Sequence, residues 1–186
     1  MRRLPARIGS AIDRFFFAPM TASGFGLMRM AWATTIFLWQ IPHLPYVVLY
    51  YSKDGIFPPE TTYLFQRPDY HFTLLNHITD PAAVLALFLL LLLTLLCSAA
   101  GLWTRLSTTL SAILLFSFQE HSFIMYAGGD TVLRVLGFYL VLCPQLKAFS
   151  LDRALEQWEH WKREGALLPR LTMPRWPYLL LLWQYI

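Results

Sequence analysis

Charge is what this sequence has least of. Asp, Glu, Lys and Arg make up 14% of its 186 residues, against 56% hydrophobic residues. A water-soluble domain carries about 25% charged residues, so the shortfall argues against a fully solvated surface and points to lipid. The mean hydropathy is +0.46. Cysteine is also scarce. The two present, Cys97 and Cys143, each sit inside an apolar run and read as buried structural thiols. No Cys/His spacing matches a zinc site. The basic start, Arg2, Arg3 and Arg7, is followed neither by an apolar core nor by a small-residue cleavage site, so a cleaved signal peptide is not expected. There is no internal repeat and no low-complexity segment apart from a leucine run. Asn76-His77-Ile78-Thr79 is not a glycosylation sequon. Gly128-Gly129 has no strand before it, which excludes a nucleotide-binding loop. The net charge of +4 reads as basic cytoplasmic flanks rather than a nucleic-acid footprint.

What is present is apolar sequence in blocks of helical length, together with 16% aromatic residues of the kind that line bilayer interfaces. The expected fold is all-α, a polytopic transmembrane bundle of four full spans plus the start of a fifth, with two interfacial amphipathic helices, in one domain over residues 1–186. Residues 1–20 place Leu4, Ile8, Ile12, Phe15 and Phe16 on one helical face and Arg3, Arg7 and Arg14 on the other, the pattern of a surface-lying helix ending at Pro19. The first span is expected over 22–45, ended or kinked by Pro42 and Pro45, with Arg29 two turns in and snorkelling to the near headgroups. The aromatic- and proline-rich connection of residues 46–80 suits interfacial or re-entrant structure. Asp80-Pro81 is a cap with proline at the first helical position, and no charge follows to Trp103, so 82–103 is the clearest span. A tight turn through Gly101, Trp103 and Arg105 leads to a third span over 106–125. A fourth follows over 131–144, stopped by Pro144. Residues 151–164 repeat Leu151, Ala154, Leu155, Trp158 and Trp161 at helical spacing, the second interfacial helix. Tyr178 to Ile186, about 13 Å of helix, reads as the start of a fifth span continued in a longer protein.

Basic residues set the orientation. Four in the amino-terminal segment, one in the second-to-third turn and six in residues 145–177 stand on one side; Lys53 and Arg67 stand on the other. The positive-inside rule puts the amino terminus and residues 145–177 in the cytoplasm, with the chain in the inner (plasma) membrane. The lipid bilayer is the expected partner, and no nucleic acid.

Charged groups within spans are costly and are functional candidates for that reason. Glu120 and His121 lie near the outer end of the third span, Asp130 at the outer start of the fourth, and Arg134 one turn inside it. Asp130 and Arg134 are four apart on one helix and can pair; Glu120 reaches a similar depth. Two readings stand. The cluster can be a salt-bridged pin between helices, with Asp130 as the chief partner of Arg134 and Glu120 as the second. It can also wall a polar cavity in which Glu120 or His121 exchanges protons. His43, His71 and His77 read as interfacial polar residues.

Phe15-Phe-Phe-Ala-Pro-Met20, followed by Gly26-Leu-Met-Arg29 opening a span, resembles the start of the HTTM (horizontally transferred transmembrane) family, bacterial relatives of vitamin K-dependent gamma-carboxylase. Tyr126-Ala-Gly-Gly-Asp-Thr-Val-Leu-Arg134, a span, Pro144 and Ser150-Leu-Asp152 resemble that family's Gly-Gly-Asp…Arg turn and its Ser-(Leu/Val)-Asp exit, and Trp176 to Tyr185 the start of its next helix. The resemblance covers the first half of the domain. It implies a polytopic helical bundle and, for the carboxylase branch, base chemistry on a reduced quinone with carbon dioxide and a protein glutamate as partners. Carboxylases have an Asn-His pair near the turn where this chain has Gly129-Asp130, and the lysine taken as their base lies beyond residue 186. Two other functions remain open: a small-solute or lipid-handling module without covalent chemistry, and a DoxX-like, quinone-interacting subunit of a redox complex.

Overall fold

A computed structural model describes residues 9, 12–56, 73–121 and 128–183. Among these are seven helices and a two-stranded ribbon: β1 (Pro19–Thr21), α1 (Ser23–Gln40), α2 (Val47–Tyr51), α3 (Pro81–Ala100), α4 (Thr104–His121), α5 (Gly128–Leu142), α6 (Leu151–Glu164), β2 (Thr172–Pro174) and α7 (Trp176–Trp183). Residues 12–17 are also helical.

The best-defined helix is α3, and its sequence says why. Asp80 accepts a hydrogen bond from the Ala83 amide at 3.2 Å, and Pro81 occupies the first turn, where no amide partner is needed. At the other end Gly101 turns left-handed, φ +75°, and its amide and that of Leu102 return to the Cys97 carbonyl. No side chain fits there: a Cβ on Gly101 would collide with Ser150 and lie 3.1 Å from Nη2 of Arg29. Around α3 pack α1, α2 and α4; α5 lies against α4 and α1, and α7 touches α5. The core they share includes Phe25, Trp32, Ile36, Phe88, Leu95 and Phe118, with edge-to-face rings at Phe88–Phe118 (5.3 Å) and Tyr51–Phe118 (5.1 Å). Gly137 lets α5 approach α1. A Cβ there would stand 2.7 Å from the Trp32 ring, whose indole N–H donates to the Leu133 carbonyl at 2.7 Å. The antiparallel ribbon pairs Pro19 with Pro174 and Thr21 with Thr172, tying the entry of α1 to the entry of α7.

The expected bundle of four full spans and the start of a fifth is overturned. Among the described residues only α3 is long and apolar enough to cross a membrane. α1 and α4 match it roughly in length, at 18 residues each, but not in composition. α1 carries Arg29 and Gln40, and α4 carries six Ser and Thr residues, Gln119, Glu120 and His121 within its buried or half-buried set. α5 has 15 residues and α7 eight, about 22 and 12 Å of helix, short of a core about 30 Å thick. An all-α description also omits the ribbon. Several boundaries shift with it. The expected 22–45 span ends as α-helix at Gln40, and a 3₁₀ segment, Ile41–Tyr46, takes up Pro42 and Pro45. The expected 106–125 span starts two residues early at Thr104, and its last residues, 122–125, lie outside the described residues. The expected 131–144 span starts at Gly128. Helix 151–164 forms with the expected bounds. Most of residues 1–11, 57–72 of the aromatic connection, and 184–186 lie outside the described residues.

Candidate functional site

The four residues singled out in the sequence come to one end of the α4–α5 pair, where their contacts with other described residues differ. Arg134 Nη1 donates to Glu120 Oε1, joining α5 to α4, and the guanidinium lies 5.3 Å from the centre of the Phe116 ring. Glu120, ranked second in the sequence, is therefore the partner that holds Arg134. Asp130 is buried, and with Gly129 and Leu133 it lines a cavity of about 450 Å³ whose other wall is Thr35, Leu38 and Trp39 of α1. His121 is buried too, and faces α2: its ring centre stands 5.9 Å from that of Tyr51. One residue along a helix rotates a side chain by about 100°, enough to send Glu120 and His121 to different neighbours. Among the described residues, Glu120 thus meets Arg134, His121 meets Tyr51, and Asp130 lines the cavity toward α1.

What Arg134 does border is a groove of about 670 Å³ between α4 and α5. Ile113, Phe116, Val135, Phe138 and Val141 form its walls, and Thr109 and Ser117 add two hydroxyls. It is apolar along its length with a charge-paired guanidinium on its rim, the form taken by sites for amphiphiles.

A second assembly lies at the opposite end, where α3 passes into α4. Arg29 is fully buried. It does not snorkel, contrary to the sequence expectation. Its guanidinium donates to the carbonyls of Ser98, Ala99 (3.3 Å) and Phe149 (3.1 Å), supplying donors to the C-terminal end of α3, where a cation also opposes the helix dipole. The Asp152 carboxylate takes the amides of Trp103 (3.0 Å) and Thr104 (2.8 Å) and the Thr104 hydroxyl (2.7 Å), capping α4. Burial works to raise the Asp152 pKa, but these hydrogen bonds outweigh it and hold the carboxyl below its usual value. Ser150 caps α6 by accepting from the Arg153 amide at 3.0 Å. The two non-glycine residues with left-handed backbone among those described, Trp103 (φ 43°) and Phe149 (φ 52°), both sit in this assembly. Such conformations persist only where neighbours over-determine them, and here Asp152 holds one and Arg29 the other. Sequence reasoning missed this lock. The signal available was that Arg29 and the Ser150-Leu-Asp152 triplet are polar residues in apolar surroundings, each in need of a partner.

The thiols are free, Cys143 buried 3.9 Å from the Met173 sulfur and Cys97 half-buried. Among the described residues no three His, Cys, Asp or Glu side chains converge as a metal ion needs. No protein-family model matches the chain, and neither the curated proteins nor the solved structures hold a match to it.

Proposed function

We infer that this is a membrane-bound helical protein of the HTTM kind that holds an apolar amphiphile, a quinone or a lipid, in the groove between α4 and α5. The observation that carries the reading is the groove itself: about 670 Å³ of almost wholly apolar wall with Arg134 at its rim. Arg134 and Glu120 would face the polar end of the ligand, and Phe116 and Phe138 its ring or chain. Membrane residence is supported by where the apolar residues lie. Leu89, Leu93 and Leu96 of α3, Leu106 and Ile113 of α4 and Phe138 of α5 are exposed, while Ser98, Thr108, Ser111 and Gln119 are buried. A water-soluble protein rarely leaves such apolar patches bare. The basic residues would place the amino-terminal end and α6 on the cytoplasmic side.

Holding is favoured over transforming by one feature: Arg134 is already neutralised by Glu120, so this pair offers a polar anchor rather than a poised base. That favours the lipid-handling reading over carboxylase-like chemistry for these residues. The test is ligand content by mass spectrometry after mild-detergent purification. Ala112→Trp fills the groove and should strip co-purifying quinone or lipid, whereas Leu182→Trp, at an exposed position of α7, should not. A groove-filled variant that folds and keeps its full complement of ligand would overturn the reading.

A further inference from the structure

A cavity of about 490 Å³ beside the ribbon is more polar than the amphiphile groove. Its walls come from three separated pieces of chain: Thr21 and Ser23 at the entry of α1, Ser150, Arg153 and Gln157 on the first turns of α6, and Arg170 before β2. The Ala22 amide donates to the Leu171 carbonyl at 3.1 Å, and β1 pairs with β2, so the first and last of these pieces are fixed to one another by backbone hydrogen bonds.

Two guanidiniums line this cavity, and no carboxylate does. Arg153 is oriented by its own contacts: Nη1 reaches Glu156 at 3.2 Å and Nη2 the Pro169 carbonyl at 2.7 Å. Its side chain is mostly buried. A guanidinium carries five N–H donors, so donors remain for a ligand after those two are used. Glu156 cannot neutralise the site, because Lys147 also binds it. Arg170 makes no ion pair among the described residues. Hydroxyls of Thr21 and Ser23 stand beside the first-turn amides of α1, which have no acceptor within their own helix. A fixed arginine, a second arginine in the same lining, hydroxyl donors and a wall without carboxylates select a tetrahedral oxyanion, since arginine presents paired N–H groups that match phosphate oxygens. The volume lies within the range of about 300–1,000 Å³ usual for small-ligand sites.

We propose that this cavity binds a phosphate group, carried by an anionic lipid headgroup or free in solution. It is separate from the amphiphile groove and does not depend on that reading.

Thermal unfolding of the purified chain in a phosphate-free maltoside detergent tests it. In one arm inorganic phosphate is titrated at constant ionic strength against chloride; in the other the micelles are doped with phosphatidylglycerol. Stabilisation by phosphate beyond the chloride control identifies the free ion. Stabilisation by phosphatidylglycerol alone identifies the lipid headgroup. In whichever arm responds, Arg170→Gln and Arg153→Gln should each weaken apparent affinity about tenfold or more, the effect of losing a charge-assisted contact. Arg163→Gln, elsewhere on α6, should leave it unchanged. Arg170 is exposed and makes no ion pair among the described residues, so Arg170→Gln keeps the test decisive if Arg153→Gln fails to fold. No response in either arm, or a response that survives Arg170→Gln undiminished, overturns the proposal.

Discussion

Replacing Arg29 with Met removes the guanidinium while keeping most of the stem that packs beside α3. Two opposing effects must be weighed. Burying a charge costs several kcal/mol, and an apolar replacement for a whole buried ion pair can be neutral or stabilising. Here, however, the partners are backbone carbonyls of Ser98, Ala99 and Phe149, which no side-chain substitution removes. Deleting only the donor leaves the acceptors behind, and each charge-assisted hydrogen bond is worth about 1.5–3 kcal/mol. The three bonds share one guanidinium and do not add in full, so a loss of about 3–5 kcal/mol is the expected net. For a chain of this size that corresponds to a fall of about 6–20 °C in unfolding temperature. Arg29→Lys should land between, because a single ammonium cannot reach both the end of α3 and Phe149 with arginine's fork geometry. The assay is thermal unfolding in detergent, followed by far-ultraviolet circular dichroism. If Arg29→Met melts within about 2–4 °C of the parent, roughly 1 kcal/mol, Arg29 is not the residue holding this junction and the account of the lock fails.

Two other expectations concern charge. A double-substitution cycle with Glu120→Gln and Arg134→Gln should show a coupling of about 1 kcal/mol, the upper end for a pair that keeps some solvent contact; strictly additive losses would mean that the pair does not join α4 to α5. The Asp152 carboxyl is held below its ordinary value by the Thr104 and Trp103 hydrogen bonds despite the opposing effect of burial, so its stabilising contribution is complete above the unfolded value of about 3.9 and disappears as pH falls through the lower folded one. The gap in unfolding temperature between the parent and Asp152→Asn should thus be flat from neutral pH to about pH 5 and close in stronger acid; a gap that widens on acidification contradicts the sign.

Local signals in the sequence were reliable where backbone chemistry is self-contained. Asp80-Pro81 and Gly101 bound α3, because a cap needs only its own neighbours to act. Spans were over-read for the complementary reason. Hydropathy along a window sums residues without asking which way each one points, so Arg29 in α1 and the hydroxyls of α4 counted as tolerable interruptions. In the fold those groups are turned inward, where Thr108 and Ser111 bond back to the carbonyls of Thr104 and Ser107 and Thr108 meets Ser98 at 2.9 Å. The site was half legible. Depth along two helices brought Glu120 to Arg134, yet spacing of four on one helix did not make Asp130 the partner, because Asp130 lines the cavity toward α1.

The residues that carry the resemblance to the HTTM family gain a physical reading from the fold. Gly26 admits the backbone of Ala148, where a Cβ would collide with the carbonyl, and Arg29, one turn later, reaches Phe149. Ser150 and Asp152 then cap α6 and α4. Motif positions separated by about 120 residues of sequence thus meet in one junction that fixes how α1, α3, α4 and α6 are joined. Such a set constrains architecture and leaves chemistry unspecified: none of these side chains borders the apolar groove, whose lining comes from Thr109, Ile113 and Phe116 of α4 and Val135, Phe138 and Val141 of α5. Only Arg134 belongs both to the motif and to the groove. Under the proposed reading, the amphiphile would be chosen by groove residues that the motif does not contain, and proteins sharing the junction could differ in what they hold between α4 and α5.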